Sequence, residues 1–578
     1  MDNLLFYKIE CFKCDTLILF KDIESRVIHY FWYDAEFVNT DKADAGELSC
    51  IIQDNILIGY NNYHYDDLIL SKIMQRTTQD EVFQYSDSIM NNDVPMLQID
   101  ARIRSLDCSQ QIDSSKPSLS KIIGNMGKNI QEPYIPAGID RPLTDTEKNV
   151  VFQYCSNAVD CIIQVYKQRE HSYFESKITI AEMLGISRSY RWNTTTISAN
   201  ILLNKDSNFV QLHDLTLLDK FWKQNKDISP IVWDLWKTCE EAGNHMISKQ
   251  TSTFIYGCKF TFGFGGLHGE NSSIHEFNNV MLLDVSSMYP SIIVNLNILG
   301  EATRRYDTIR KKRLEMKHSD QILSNAYKLI INSVYGNLKN QYSKLYNPMA
   351  SNIVCIYGQI ALFDLCGRLY KAGYTLVNIN TDGVGFIGDG DEYKCIWNQW
   401  ELDYNLKLEF SAYDHWIQRD VNNYIAIAGD ETKAKGEDVN KVFENQYFKN
   451  NDARIIQIAL MEYLLHGTSV IDTLLNHLNE PILYQYVLCA GSSYDGTVDS
   501  KGTRMQNVNR VFAVKPAYAG NKLYKVCADG TRINFNDVPD YMMIWNKDVN
   551  DLKDFRNIVD LNHYYQKILK KIRRWKTV

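Results

Sequence analysis

Residues 375–387 read TLVNINTDGVGFI, two short apolar strands with only Thr381 and Asp382 between them and a glycine on the far side. This pattern predicts a hairpin with a carboxylate at its tip. A second apolar strand, VMLLDVS (280–286), also runs out on an aspartate, Asp284, followed by small residues and a turn at Tyr289-Pro290-Ser291. Neighbouring strands of one sheet would bring Asp284 and Asp382 together. Either aspartate alone is an ordinary turn former.

The rest of the chain alternates between strand and helix patterns. Within the first 185 residues LLFYKIECF, TLILFKDI, VIHYFWY and NILIGYN read as strands. DDLILSKIM and TDTEKNVVFQYCSNAVDCIIQVYKQ read as helices, with Val150, Phe152, Tyr154, Val159, Ile162 and Ile163 supplying the period of the second. A compact α/β domain is the expectation. Residues 186–250 read as a helical connector with Trp222, Trp233 and Trp236 as packing residues. The glycines of TFGFGGLHGE (261–270) break the pattern. Two helical segments around 303–318 and 321–336 divide at His318-Ser319-Asp320, where Ser319 or Asp320 caps the second. DLNHYYQKILKKIRRWKTV reads as a basic closing helix. A length of 578 residues suggests about four domains.

Paired aspartates suit phosphoryl transfer from a nucleoside triphosphate, which rests on positioning and electrostatic stabilisation. Two metal ions about 3.5–4 Å apart clamp the attacking and leaving oxygens in such reactions. Mg²⁺ takes few protein carboxylates and fills its shell with substrate phosphates. The triphosphate then needs cations. IRKKRLEMK sets Arg310, Arg313 and Lys317 on one helix face, and KLIINSVYGNLKN sets Lys328, Asn332 and Tyr335 on another. A cation, a polar side chain and a flat ring thus meet one ligand. Taken singly, each of these residues is an ordinary solvated helix residue.

Taken in order, DVSSMYPS, KLIINSVYG and NTDG resemble motifs A, B and C of the family B (polymerase alpha-like) DNA polymerases. The resemblance implies an α+β multidomain chain, with an RNase H-like 3′–5′ exonuclease domain followed by a right-hand polymerase of palm, fingers and thumb. It implies an exonuclease-like domain over 1–185, a connector over 186–250, palm over 251–300 and 341–436, fingers over 301–340, and thumb with C-terminal region over 437–578. Asp284 and Asp382 would be catalytic and, with the Val285 carbonyl, would hold two Mg²⁺ ions, for which Mn²⁺ is a plausible substitute. Tyr289 would lie under the incoming sugar and exclude a 2′-hydroxyl. Lys328 and Arg310, with Arg313, would hold the dNTP triphosphate. Tyr335 and Gly336 would pack near the nascent pair, and Asn332 would be a further substrate-binding residue. Gly265 and Gly266, Tyr424, and Lys433 and Lys435 of KAKGEDV resemble contacts to primer-template DNA. Two positions depart from the pattern: Asn380 replaces the first aspartate of motif C, and Asn422 replaces the lysine of K-x-Y.

The first 185 residues resemble the family's exonuclease. Asn61, Tyr65 and Asp66 match its second motif and Tyr154 part of its third, but Ala158 stands at the third motif's aspartate, and Asp160 lies two residues further on. KIE stands at the first motif, with Lys8 for aspartate and Glu10 retained. The rival Asp34-Ala35-Glu36 leaves too short a chain before Asp66 for two strands and a helix. With Lys8 and Ala158 in place of two metal-binding aspartates, an inactive exonuclease is expected, with Lys8 occupying the site electrostatically.

Composition bounds the partners. No apolar run approaches the roughly 18 residues of a membrane span, and the first residues lack the pattern of a secretory signal. The 13 scattered cysteines argue for a reducing compartment, and Cys11 and Cys14 lack the second pair of a zinc site. By itself the net charge of −8 counts against a nucleic-acid partner. However, residues 301–317 carry +4 and residues 566–578 carry +6, and phosphate contacts need local cations. Only 44 residues separate Asp284 from Lys328. This compactness resembles bacteriophage polymerases, which implies a nucleic-acid primer, a monomer and a bacterial host cytoplasm. The rival expectation is a polymerase-derived DNA-binding scaffold with weakened catalysis, which Asn380 favours.

Overall fold

The computed structural model describes residues 3–34, 43–91, 93, 99–112, 116–185, 187–203, 234, 237, 249–439, 453–491 and 493–576. Trp222, Trp233 and Trp236, and Ala35 and Glu36 of the rival motif, lie outside the described residues. The architecture is mixed α+β and multidomain. It divides into two compact units, residues 1–193 with 445–568 and residues 194–444 with 569–578.

The N-terminal part of the first unit is built on five strands, β1 (Asn3–Cys11), β2 (Thr16–Lys21), β3 (Val27–Tyr33), β4 (Asn55–Gly59) and β5 (Ser105–Asp107). Their order is β3-β2-β1-β4-β5. β1 runs antiparallel to β2 and parallel to β4. β2 and β4 are buried along their whole length, as strands covered on both faces must be. Helix α1 (Asp66–Met74) follows β4, and α2 (Asp145–Arg169) packs on β1 and β2. A complete capping box between Thr144 and Glu147 starts α2.

The sequence division set residues 437–578 apart, whereas packing joins 445–568 to the first unit. Arg510 explains the joining. Its buried guanidinium donates to the carbonyls of Gly124 and Lys128 at 2.9 and 2.7 Å. Val487 and Val508 share a core cluster with Ile123 and Ala158. No periodicity in sequence announces such a contact.

The second unit is built on a nine-stranded sheet with strands β6 (Gln250–Ile255), β7 (Cys258–Gly263), β8 (Gly266–Asn271), β9 (Glu276–Val285), β10 (Thr375–Asn380), β11 (Gly383–Ile387), β12 (Leu408–Asp420), β13 (Asn423–Ala428) and β14 (Glu431–Lys435). Their order is β14-β13-β12-β9-β11-β10-β8-β7-β6. The expected hairpin is present as β10 and β11, and β11 pairs with β9. Between β9 and β10 run α3 (Met288–Asn295), α4 (Glu301–Met316), α5 (Gln321–Lys339) and α6 (Pro348–Lys371). Asp320, not Ser319, caps α5 by accepting from the Leu323 amide at 2.9 Å.

Helix α6 corrects the hydropathy reading. It is long and apolar enough to cross a membrane, with a mean hydropathy of 1.4 over its best window, and 89% of that window is buried inside the protein. Gln359 and Asn352 interrupt the apolar run in sequence, and both are buried. The expected basic closing helix is present as α7 (Leu561–Lys576), and it is also amphipathic.

Candidate functional site

Asp284 is the penultimate residue of β9. It stands in register between Gly383 of β11 and Glu409 of β12. Asp382 occupies the β10–β11 turn, which backbone bonds pin on both sides. The Thr381 amide donates to the Leu267 carbonyl at 2.8 Å, and the Val285 amide donates to the Asp382 carbonyl at 2.7 Å. The turn also requires Gly383, because a Cβ there would overlap the Asp284 carboxylate.

Both carboxylates line one cavity of about 350 Å³ together with Val285, Arg313 and Lys317. Tyr424, Lys433 and Lys435 line it as well. Tyr424 stacks on Trp416 with centroids 4.4 Å apart, so β13 and β14 are held against the sheet. Asp284 is raised above its ordinary value by burial and by the Asp382 charge, with Lys433 opposing. Asp382 is raised by loss of water, which its own backbone amide, Lys435 and Lys433 oppose.

Asp382 and Arg313 also line a neighbouring cavity of about 340 Å³ with Tyr289, Lys328, Asn332 and Tyr335. The helical spacing therefore does bring Lys328, Asn332 and Tyr335 to one face. Arg313 reaches it by donating to the Ser287 hydroxyl at 3.1 Å. Arg310 lines neither cavity; it pairs with Asp307 on its own helix at 2.8 Å. Gly336 lines neither cavity and a side chain there would meet nothing. Gly265 is equally open, whereas Gly266, at φ +126°, lies against Tyr289 and Thr381.

Asn380 and Asn422, the two departures from the family pattern, touch each other. The Asn380 amide donates to the Asn422 side-chain oxygen at 3.3 Å and to the Val421 carbonyl at 3.1 Å. Sequence reasoning missed Glu409, which faces Asp284 across the ladder and accepts from Ser286 at 2.7 Å. It lies 27 residues past Asp382 with no motif around it, so only strand pairing reveals it. Thr381, which lines the second cavity, was missed as well.

The donor set fits Mg²⁺. Two mutually repelling carboxylates and Val285 line one cavity, and a divalent charge would relieve both desolvation and repulsion. Among the described residues no group of three or more His, Cys, Asp or Glu forms a cage. Mg²⁺ does not require one when substrate phosphates complete its shell.

In the first unit a cavity of about 1080 Å³ is lined by Lys8, Glu10, Asn61, Tyr65, Asp66, Tyr154 and Ala158. Lys8 pairs with Glu10 at 3.1 Å, each side chain about a fifth exposed (21% and 24%). Burial would lower Lys8, but the Glu10 and Asp66 charges outweigh it and hold the ammonium well above its ordinary range. Asp66 accepts from the Ile9 amide at 2.9 Å. Burial pushes its carboxyl up to about 6, and Lys8 opposes the rise. Tyr65 bonds Ser86 at 2.7 Å, and burial pushes Tyr154 up to about 12. Asp160 faces away and pairs with Lys21 at 2.7 Å. Asp107 at the end of β5 was missed. It lines the same cavity and accepts from the Asn61 amide at 2.7 Å.

No family model matches the sequence, and no curated protein matches it. Among solved structures, the chain is similar to the family B DNA polymerase from the hyperthermophilic archaeon Pyrobaculum calidifontis. The identity is 11%, the match covers all of this chain and 78% of that one, and the TM-score is 0.47.

Proposed function

We propose that the chain is a template-directed DNA polymerase that adds deoxynucleotides to a primer 3′ end. One observation carries this reading. Asp284 and Asp382 come from separate strands and open on a cavity edged by Lys433 and Lys435, and Asp382 and Arg313 continue into a second cavity with Tyr289, Lys328 and Tyr335. The geometry supports the order expected of a transfer site, with carboxylates at the reacting phosphate, cations along the triphosphate and a ring beside the sugar. The nine-stranded sheet corresponds to the palm, and α4 and α5 to the fingers.

Asp284, Asp382 and the Val285 carbonyl would hold Mg²⁺, which when bound supplies charge for the attacking and leaving oxygens. Arg313 and Lys328 bind and orient the triphosphate; Arg310 has no part, being committed to Asp307. Tyr289 closes the sugar side against a 2′-hydroxyl. Lys433, Lys435 and Tyr424 lie along the primer strand.

The first unit is an exonuclease-like domain without exonuclease activity. Its strand order and mixed pairing support the RNase H-like reading. Lys8 supplies to Glu10 and Asp66 the positive charge that a metal would otherwise bring, and Ala158 offers no ligand.

Primer extension with Mg²⁺ and four dNTPs tests the reading. Extension that disappears in Asp382→Ala supports it. Template binding without extension would leave the DNA-binding scaffold favoured by Asn380. Degradation of a single-stranded 3′ end by the unaltered chain would overturn the inactive exonuclease.

A further inference from the structure

The ring beside the proposed sugar position is held indirectly. Tyr289 and Tyr335 pack with centroids 4.3 Å apart and planes at 30°. Both hydroxyls are buried without a well-formed hydrogen bond, with only the Cys355 thiol and, for Tyr335, the Ser351 hydroxyl beside them. Burial is also the main cause that raises both phenols, with the Cys355 thiol adding to it. Packing and charge therefore help to fix the rings.

Three contacts do so. Gly266 forms a wall: a Cβ there would lie 3.2 Å from the Tyr289 hydroxyl oxygen and 3.1 Å from Thr381 Cγ2. On the other side Lys339, one turn beyond Tyr335 on α5, sets its ammonium 4.4 Å from the Tyr335 ring centroid. The same ammonium donates to the Phe264 carbonyl at 2.8 Å. Phe264 opens the short turn that leads into Gly266, the first residue of β8. Lys339 thus joins the helix bearing one ring to the turn that backs the other. The attraction is strengthened because the group is partly withdrawn from water, as the fall of its pKa through burial reflects.

We infer that Lys339 is a positioning residue for sugar selection: it clamps Tyr335, and through it Tyr289, against the turn leading into Gly266 without touching substrate. The inference rests on the proposed polymerase reading, in which Tyr289 faces the sugar. It assigns work to a residue just past the matched motif KLIINSVYG.

The test compares kcat/KM for dNTPs with that for rNTPs in single-nucleotide extension by the full chain. Lys339→Met is expected to shift the ratio toward ribonucleotides by about tenfold, with deoxynucleotide use changed by only a few-fold. Lys339→Arg, which keeps both the cation and the donor, is expected to restore the parental ratio. If Lys339→Met does not fold, Lys339→Gln carries the test, since it can still donate to Phe264 while losing the charge over the ring. Tyr289→Ala is the control on the underlying reading. If it does not admit ribonucleotides, the sugar assignment fails. If it does, but folded Lys339→Met or Lys339→Gln discriminates as well as the parent, the clamp alone is overturned.

Discussion

The two units each hold a carboxylate pair with one member near the end of a strand, and they balance its charge in opposite ways. At the Asp284–Asp382 pair the cations Lys433 and Lys435 stand on the cavity wall without pairing directly, and both acids are raised by lost water. That site retains room for a divalent ion. At the Glu10–Asp66 pair, Lys8 is built into the same strand as Glu10, two residues away, and closes on it at 3.1 Å. The neutralising charge is covalently attached and cannot leave. On the proposed reading, two replaced positions, Lys8 and Ala158, separate a cavity that would hold metal from one already neutralised.

The largest expected break in this comparison is at the first pair. Asp382→Ala should lower single-nucleotide extension by about 10³-fold, the scale seen when a preorganised charge stabiliser is removed. The opposite change should sharpen the contrast. Lys8→Asp with Ala158→Asp should create Mg²⁺-dependent degradation of a 3′-labelled single strand, read on a gel, where the parent shows none.

Smaller effects lie in stability. Mg²⁺ at ten times its Kd should stabilise the parent by about 1.4 kcal/mol in thermal melts. Asp284→Asn should lose that gain, whereas Lys8→Met should keep it. The smallest effect is a pH dependence. The Asp66 carboxyl, raised from 3.8 to about 6 by burial, costs stability when ionised. The cost is absent below the unfolded value, grows through the interval and is complete above about 6. Asp66→Asn should therefore gain on the order of 1 kcal/mol at pH 8 in urea titrations, and the gain should vanish near pH 4.

Much of the candidate site was legible because its residues sit at places where local pattern is strong. A hairpin signal located Asp382, a strand end located Asp284, and helical spacing grouped Lys328, Asn332 and Tyr335. Choosing between Arg310 and Arg313 was not possible from spacing alone. Both lie on one helix face, and only the Asp307 pairing of Arg310 and the Ser287 contact of Arg313 separate them. Glu409 and Asp107 were invisible for another reason: each becomes part of a site through the strand beside it, and pairing register is not written in a local run.

The sequence by itself determined the carboxylates, the cations, the replaced positions Lys8, Ala158, Asn380 and Asn422, and the alternation of strands and helices around them. Local chemistry is enough for these, since composition and period are properties of short segments. Tertiary structure alone decided that Asn380 and Asn422 meet, that residues 445–568 join the first unit through buried Arg510, and that Lys339 reaches across from α5 to the turn leading into Gly266. Each of these contacts joins residues distant in the chain. Its free energy depends on burial and orientation that exist only after the sheets have formed.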